Sequence, residues 1–159
     1  MKNRSVKLQF TKALRSQHEE IYRLMRDAFT PYVKKLGGGP VAGPYPWLEG
    51  AIESGDVYVA LDGSHVVGLV TTTRKSDELI IDQLGIDPAR QGEGIGSWLL
   101  ENIEQTARSE QVKVISLQTA EMMTDLLRLY ARHGFRGTRK ALPAHGDDEH
   151  LRVHMEKRL

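Results

Sequence analysis

The stretch RQGEGIGS, residues 90–97, decides how the rest of this sequence is interpreted. It follows an apolar segment, residues 78–86, and opens a segment whose apolar residues recur at helical spacing. A strand that runs through a glycine-rich turn into a helix presents unpaired backbone N–H groups and the positive end of the helix dipole. The stretch therefore indicates a site for an anionic group, most often a phosphate.

The spacing of the glycines limits which ligand the turn can hold. It lacks the lysine of a GxxxxGK[ST] loop, and Gly92, Gly94 and Gly96 do not have the spacing of a dinucleotide-binding fingerprint. Such a fingerprint also follows the first strand of a parallel sheet, whereas this turn stands in mid-chain. From these residues alone a phosphate-binding turn, including one for a nucleotide, and a simple helix cap both stay open.

Strands and helices are predicted on the N-terminal side of the turn. Period-2 patterns predict strands over residues 5–12, 57–61, 66–73 and 78–86, the last three forming an antiparallel meander. Ser16 and Glu19 have the spacing of a capping box, which predicts a helix that ends at Pro31. A loop rich in glycine and proline, residues 37–46, and a short helix over residues 46–54 follow.

The C-terminal side continues with alternating helices and strands. A helix begins after Gly94, a strand covers residues 112–119, and a second amphipathic helix runs from Met122 to Gly134. Final strands are predicted over residues 135–140 and 150–157. The strand, helix and strand around the turn predict a right-handed parallel crossover within one domain, residues 1–159.

The composition excludes several classes of protein. The 22 basic and 21 acidic residues give a formal charge of +1 without charge blocks, so no nucleic-acid or membrane partner is expected. The absence of cysteine removes disulfides, thiolate metal sites and a cysteine nucleophile, and none of the six histidines falls in a metal motif, so no metal is expected. Because no long apolar run is present, a cytoplasmic location is expected, and a homodimer stays open.

Two motifs at a fixed separation resemble those of one family. Gln91-x-x-Gly94-x-Gly96 is followed about 35 residues later by LYARHGF, residues 129–135. Together they resemble the GCN5-related N-acetyltransferase (GNAT) family. The resemblance implies the α/β fold of acyl-CoA N-acyltransferases, in which a mixed, mostly antiparallel sheet of about seven strands is flanked by about four helices.

The resemblance also implies acetyl-CoA as co-substrate, with its pyrophosphate in the turn and its pantetheine arm along the preceding strand. Ile86 would offer its N–H to the thioester oxygen, and Gly85 is either a bulge or a packing glycine. Met123 stands where the family commonly has an asparagine that contacts pantetheine. The implied donor-binding residues are Leu84, Gly85, Ile86, Gln91, Gly92, Glu93, Gly94, Ile95, Gly96, Ser97 and Met123.

Two residues are candidates for proton transfer. Tyr130 is expected to protonate the departing thiolate at little cost, since a phenol has a pKa of about 10 and a thiol one of about 8.5; packing alone is the alternative. Asp82 is the candidate base, expected on the same strand face as Leu84, and a structural hydrogen bond is the alternative. Competing carboxylates are Glu78, Glu121, Asp147, Asp148 and Glu149.

The expected activity is direct acetyl transfer from acetyl-CoA to a primary amine of a small molecule or peptide, without an acetyl-enzyme. The alternative is an acyl-CoA-binding sensor of the same fold that does not turn over. The acceptor itself is not specified. Loops 30–47 and 140–149 are expected to form its pocket, with Tyr32, Tyr45 and Trp47 either lining it or fixing the loop to the core.

Overall fold

A computed structural model describes residues 7–38, 45–146 and 148–159. Within these ranges the chain forms seven strands and four α-helices, in the predicted order. The strands are β1 (Leu8–Lys12), β2 (Val57–Asp62), β3 (His65–Lys75), β4 (Glu78–Ile86), β5 (Val114–Ala120), β6 (Arg136–Ala141) and β7 (Arg152–Arg158), and the helices are α1 (His18–Lys35), α2 (Leu48–Glu53), α3 (Ile95–Ser109) and α4 (Thr124–Arg132).

All seven strands belong to one sheet, in the order β1-β2-β3-β4-β5-β7-β6. Neighbours pair antiparallel except β4 and β5, which are joined by α3 and pair parallel. The predicted meander, crossover and mixed α/β class are therefore confirmed. Residues 5 and 6 of the first predicted strand, and residues 39–44 and 147 of the two predicted loops, lie outside the described residues.

The parallel pair in the middle of the sheet is short. Glu78, Leu79 and Ile80 pair with Val114, Ile115 and Ser116, and the two strands then separate. Beyond this point β5 pairs only with β7, and β4 only with β3. The sheet therefore opens between β4 and β5 toward the glycine-rich turn.

β4 contains a bulge, but not at the glycine where it was expected. Thr71 pairs with Gln83 and Thr72 with Ile81, so Asp82 is the extra residue. Gly85 pairs regularly with Leu69. An added Cβ at Gly85 would lie 3.2 Å from the ring of Phe29, which makes it a packing glycine where α1 crosses the sheet.

The predicted end of α1 at Pro31 is wrong, because the helix continues to Lys35. Proline removes the hydrogen bond to the carbonyl of Asp27, but that residue is exposed, so water can satisfy the carbonyl. The last turn is also tied to the sheet, because the Tyr32 hydroxyl accepts a 3.1 Å hydrogen bond from the amide of Ala120. Gln17 is the N-cap residue of α1 without a side-chain capping bond to the helix, so the predicted capping box of Ser16 and Glu19 is wrong; the Gln17 side chain accepts instead from the amide of Leu14, in the turn before the helix.

The core has two parts, one on each face of the sheet. One part lies under α3 and includes Leu79, Ile81, Leu99 and Ile103. The other packs α1 and α2 against β2 and β3 through residues such as Met25. Burial of apolar surface on both faces fixes the sheet between the helices and leaves the gap between β4 and β5 as the opening in this framework.

Candidate active site

A cleft of about 970 Å³ occupies the opening between β4 and β5. Its walls come from α1, the end of β3, the bulged half of β4, the start of α3 and the side of α4. The side chains with chemical functions in this lining are Tyr32, Tyr45, Trp47, Asp56, Thr71, Thr72, Thr73, Asp82, Gln83, Gln91, Gln118, Thr119, Tyr130, His145 and Arg152.

The glycine-rich turn forms the end of the cleft where α3 begins. Gly92 and Gly94 have φ angles of +86° and +81°, and no atom lies within 4 Å of a Cβ added at either position. The first intrahelical bond runs from the amide of Trp98 to the carbonyl of Gly94, so the amides of Ile95, Gly96 and Ser97 have no acceptor within the helix. These amides and the helix dipole together favour an anion in front of the turn.

Arg90 braces the turn from behind. Its guanidinium contacts Glu93 at 2.8 Å and Asp62 at 2.9 Å, and only 19% of its side chain is exposed. The contacts connect the turn to the end of β2. Arg90 therefore holds the shape of the turn, while the backbone faces the cleft.

Two amides of β4 point toward the opening. The amide of Asp87 donates to the carbonyl of Val67 at 3.0 Å, on the β3 side. Successive N–H groups of a strand point to opposite edges, so the amides of Ile86 and Leu84 point to the edge that faces β5. Since β5 has diverged there, these donors are available to an extended ligand with amide groups.

Seven of the predicted site residues line the cleft, and the others do not. The lining includes Asp82, Leu84, Gly85, Ile86, Gln91, Gly96 and Tyr130. Gly92, Glu93, Gly94 and Ser97 belong to the turn outside this lining, and the side chain of Ile95 is buried in the core. Met123 is 7% exposed and lines a separate pocket of about 220 Å³ between α1 and α4.

Tyr130 lies on the α4 wall with its ring packed edge-on against Phe135 at 6.0 Å between centroids. Burial, reinforced by the neighbouring Tyr32, raises the pKa of Tyr130 to about 12. The phenol is therefore protonated and able to donate at neutral pH. This pKa lies above that of a thiol, about 8.5, so full transfer of the phenolic proton to a thiolate runs uphill, and the role of Tyr130 as proton donor stays a prediction.

Asp82 faces the cleft from the bulge. Its carboxylate accepts a 2.6 Å hydrogen bond from the Thr73 hydroxyl. Desolvation raises the pKa of Asp82, the bond from Thr73 lowers it, and the negative charge of Asp56 raises it further; the net direction is upward. The bulge breaks the alternation of β4, so Asp82 turns toward Thr73 while Leu84 packs against the core under α3; the expected shared face is wrong.

The described competing carboxylates with defined contacts are engaged elsewhere. Glu78 accepts from the Ser116 hydroxyl where β4 and β5 still pair, and Glu121 forms an ion pair with Lys140. Asp148 forms a bidentate pair with Arg152. None of the three belongs to the described lining of the cleft.

Sequence reasoning missed several lining residues that come from distant segments. Asp56 precedes β2, the three threonines end the buried part of β3, and Arg152 begins β7. Runs of threonine are common in strands and no spacing connects them to Asp56. Hydrogen bonds of Thr72 to the carbonyl of Asp56 hold that residue beside β3, and the register of β3 against β4 brings Thr73 to Asp82.

No three histidine, aspartate or glutamate side chains in residues 7–38, 45–146 and 148–159 are grouped so as to hold a metal ion. No helix in the same ranges has the length and apolar character needed to cross a bilayer.

The fold is shared with solved acetyltransferase structures. Ard1 from Thermoplasma volcanium superposes with a TM-score of 0.76 at 18% identity, covering 96% of this chain and 97% of that one. The PaiA N-acetyltransferase from Thermoplasma acidophilum, solved in complex with coenzyme A, gives 0.73 at 14% identity, covering 96% and 99%. At such identities the likeness establishes the fold.

Sequence comparison gives the family. The uncharacterized protein YxbD of Bacillus subtilis (strain 168) is 32% identical over 75 residues, which are 47% of this chain and 46% of that protein. The alignment thus spans about half the length of this curated relative. The profile of the Acetyltransferase (GNAT) family matches residues 18–135, nearly three quarters of the sequence, and includes both the glycine-rich turn and the Tyr130 segment. The chain therefore belongs to the GNAT acetyltransferase family.

Proposed function

We propose that this protein transfers the acetyl group of acetyl-CoA directly to a primary amine. The observation that carries the proposal is a row of unpaired backbone donors in two groups, one on β4 and one at the start of α3, with the paired amides of Asp87, Ala89 and Arg90 between them. The amides of Leu84 and Ile86 face the opening, and the amides of Ile95, Gly96 and Ser97 follow at the helix end. This row matches a ligand that has amide groups in its middle and a diphosphate at one end.

In the proposed complex the diphosphate lies at the turn, residues 91–97, and the pantetheine arm extends β4 as an added strand. The Ile86 amide then donates to the thioester oxygen and stabilises the negative charge that develops there during attack. Met123 does not belong to the cleft lining, so the backbone supplies the donor contacts on this side.

The reaction is an attack of the neutral amine nitrogen on the thioester carbonyl carbon. A C–N bond forms, the C–S bond breaks, the nitrogen loses a proton and the sulfur gains one. Asp82 is the proposed base. Asp82 lies four positions before Ile86, roughly 13 Å along the strand, so the proton reaches Asp82 through water.

Tyr130 is the proposed donor to the departing sulfur. Because its pKa is raised to about 12, it acts first as a hydrogen-bond donor that stabilises the developing thiolate. Full transfer of the phenolic proton is uphill, so the departing sulfur takes its proton from solvent while Tyr130 keeps its own and donates a hydrogen bond; the proton of the attacking amine goes to Asp82.

Two measurements on the same preparation test this function. Calorimetric titration should detect binding of coenzyme A, and a thiol-detection assay with acetyl-CoA and a panel of primary amines should detect release of coenzyme A. Binding with no release for any amine would favour an acyl-CoA sensor. Failure of coenzyme A to bind would remove the proposal altogether.

A further inference from the structure

The part of the cleft away from the glycine-rich turn carries two carboxylates, Asp82 and Asp56, with one cation, Arg74, beside Asp56. Asp82 has the Thr73 hydroxyl as its hydrogen-bond partner, and no described lysine or arginine forms an ion pair with it. Asp56 lies 3.3 Å from the guanidinium of Arg74, which makes shorter contacts, 2.7 and 3.1 Å, with Glu110. This end of the cleft, called the acceptor end below, therefore has an excess of negative charge.

The charge of the arginine in the described lining, Arg152, is already matched by a carboxylate within the protein. Both terminal nitrogens of Arg152 donate to Asp148, at 3.0 and 2.9 Å, and one also donates to the carbonyl of His150. The side chains of Arg152 and Asp148 are only 9% and 13% exposed. His145, the other basic residue of the described lining, already has a partner within the protein.

Four aromatic side chains of α1 and of the segment before α2 also line the cleft. Phe29 and Tyr32 lie one turn apart on α1, and Tyr45 packs against Trp47 at 5.6 Å between ring centroids. Trp47 remains 42% exposed at the edge of the cleft. A large indole left exposed next to a binding site offers its ring to the apolar part of a ligand and to a cation near it.

We propose that the acceptor is a primary amine with an apolar body and no carboxylate. This rests on the proposed acetyl transfer. The ammonium group is attracted by Asp82 and Asp56, and the body packs against the wall formed by Phe29, Tyr45 and Trp47. An α-amino acid would bring its carboxylate toward these two carboxylates with no cation to pair with it, so amino acids are rejected.

The test compares three acceptors that differ at one group. These are 2-phenylethylamine, phenylalaninamide and phenylalanine, each assayed with acetyl-CoA at pH 8 and with rates expressed per neutral amine. Phenylalaninamide matches phenylalanine in size but carries no negative charge. We expect kcat/KM for phenylalanine to be lower than for the other two by about 100-fold, the scale of a buried charge left unpaired.

The wall is tested by substitution. Trp47→Ala should reduce the preference for 2-phenylethylamine over methylamine by about tenfold, as for loss of aromatic packing. Leu14→Ala removes a leucine that is 60% exposed and lies outside the described cleft lining, and it should leave the preference unchanged. Circular dichroism of both variants controls for folding.

The outcomes separate the two proposals. If phenylalanine is acetylated as well as phenylalaninamide, the acceptor class is wrong while acetyl transfer stands. If coenzyme A binds and no amine of the set is acetylated, the acceptor class is also wrong. If coenzyme A does not bind, the acetyltransferase function itself is overturned.

Discussion

The Thr73 hydroxyl donates a 2.6 Å hydrogen bond to the carboxylate of Asp82, although the backbone of Thr73 pairs with Ile80. The bulge makes this contact possible. Because Asp82 is an extra residue without a partner on β3, its carboxylate lies near Thr73, which is the β3 partner of Ile80. The carboxylate of the proposed base is thus held by Thr73, a residue that regular pairing of β3 with β4 would not place beside it.

Loss of the hydrogen bond from Thr73 should shift the pH profile of kcat/KM to higher pH. The bond from Thr73 lowers the pKa of Asp82, so Thr73→Val should raise that pKa further. A base must be deprotonated, and activity falls as the pH drops through its pKa. The acidic limb of log kcat/KM against pH should therefore shift to higher pH in Thr73→Val, while Thr73→Ser keeps the limb of the original protein.

Removal of the carboxylate gives a second measure of the same residue. Asp82→Asn should lower kcat/KM on the order of 100-fold and abolish the acidic limb, with folding unchanged. If Asp82→Asn keeps both the acidic limb and the rate, Asp82 has a structural role and another group is the base.

Tyr130→Phe should separate donor binding from turnover. The ring and its contact with Phe135 are kept, so the dissociation constant of coenzyme A should change by less than about twofold, while kcat falls on the order of 100-fold. Because the pKa of Tyr130 is raised to about 12, ionisation of this phenol should cause no loss of rate up to about pH 10. Tyr22→Phe, outside the described cleft lining, serves as control; equal turnover in Tyr130→Phe and Tyr22→Phe would end the catalytic assignment.

Gly94→Ala should weaken donor binding through the backbone. No atom obstructs a Cβ there, but φ is +81°, a conformation that costs an alanine about 1 kcal/mol. Relaxation of the turn should raise the dissociation constant of coenzyme A by roughly five- to tenfold. Gly50→Ala is the matched control, since Gly50 lies in α2 with equally open space; it should be stabilised slightly and should bind coenzyme A as before. Equal affinities in the two variants would contradict an anion-binding role for the turn.

Asp148 should contribute stability that depends on pH. Hydrogen bonds from Arg152 lower the pKa of Asp148 from 3.8 to about 2. A lowered pKa means that the stabilisation is complete above about pH 4 and is lost as the pH falls toward 2. Asp148→Asn should lower the free energy of unfolding at pH 7 on the order of 2 kcal/mol, because Arg152 loses its partner, and the difference from the original protein should shrink in acid.

Glu121→Gln is the control for this measurement. It alters the ion pair with Lys140 by the same change of acid to amide, but those side chains are 43% and 57% exposed, so the cost should stay below about 1 kcal/mol. Urea unfolding at pH 7, 5 and 3 reports both values. A similar loss for the two variants would show that burial of the Arg152 pair adds nothing.

Most of the fold could be predicted because its signals are local. The strand period of β2 to β4, the turn at residues 90–97 and Gly134, with φ of +90° after α4, each follow from neighbouring residues. Pro31 was misjudged because a nonlocal contact, from the Ala120 amide to Tyr32, helps to hold the turn that proline weakens. No pattern in α1 contains that information.

The site was predictable where it consists of backbone and less so where it depends on register. The turn follows from the glycine spacing, whereas the β4 amides were expected from the family resemblance. The bulge was assigned to Gly85, because glycine is the usual signal, whereas the extra residue is Asp82. A shift of three residues changes which face the carboxylate occupies, and the acceptor end could not be foreseen without that register.

The junction between β4 and β5 is so short that the proposed donor, when bound between them, would add to the stability of the folded protein. Two half-sheets, β1 to β4 and β5 to β7, share three residue pairs, so in the free protein they are joined mainly through α3 and the core beneath it. A donor bound between them would contact both half-sheets. It would raise the free energy of unfolding by RT ln(1 + [L]/Kd), where [L] is the concentration of free donor. The resistance of the molecule to heat and proteolysis would then rise and fall with the supply of its own substrate.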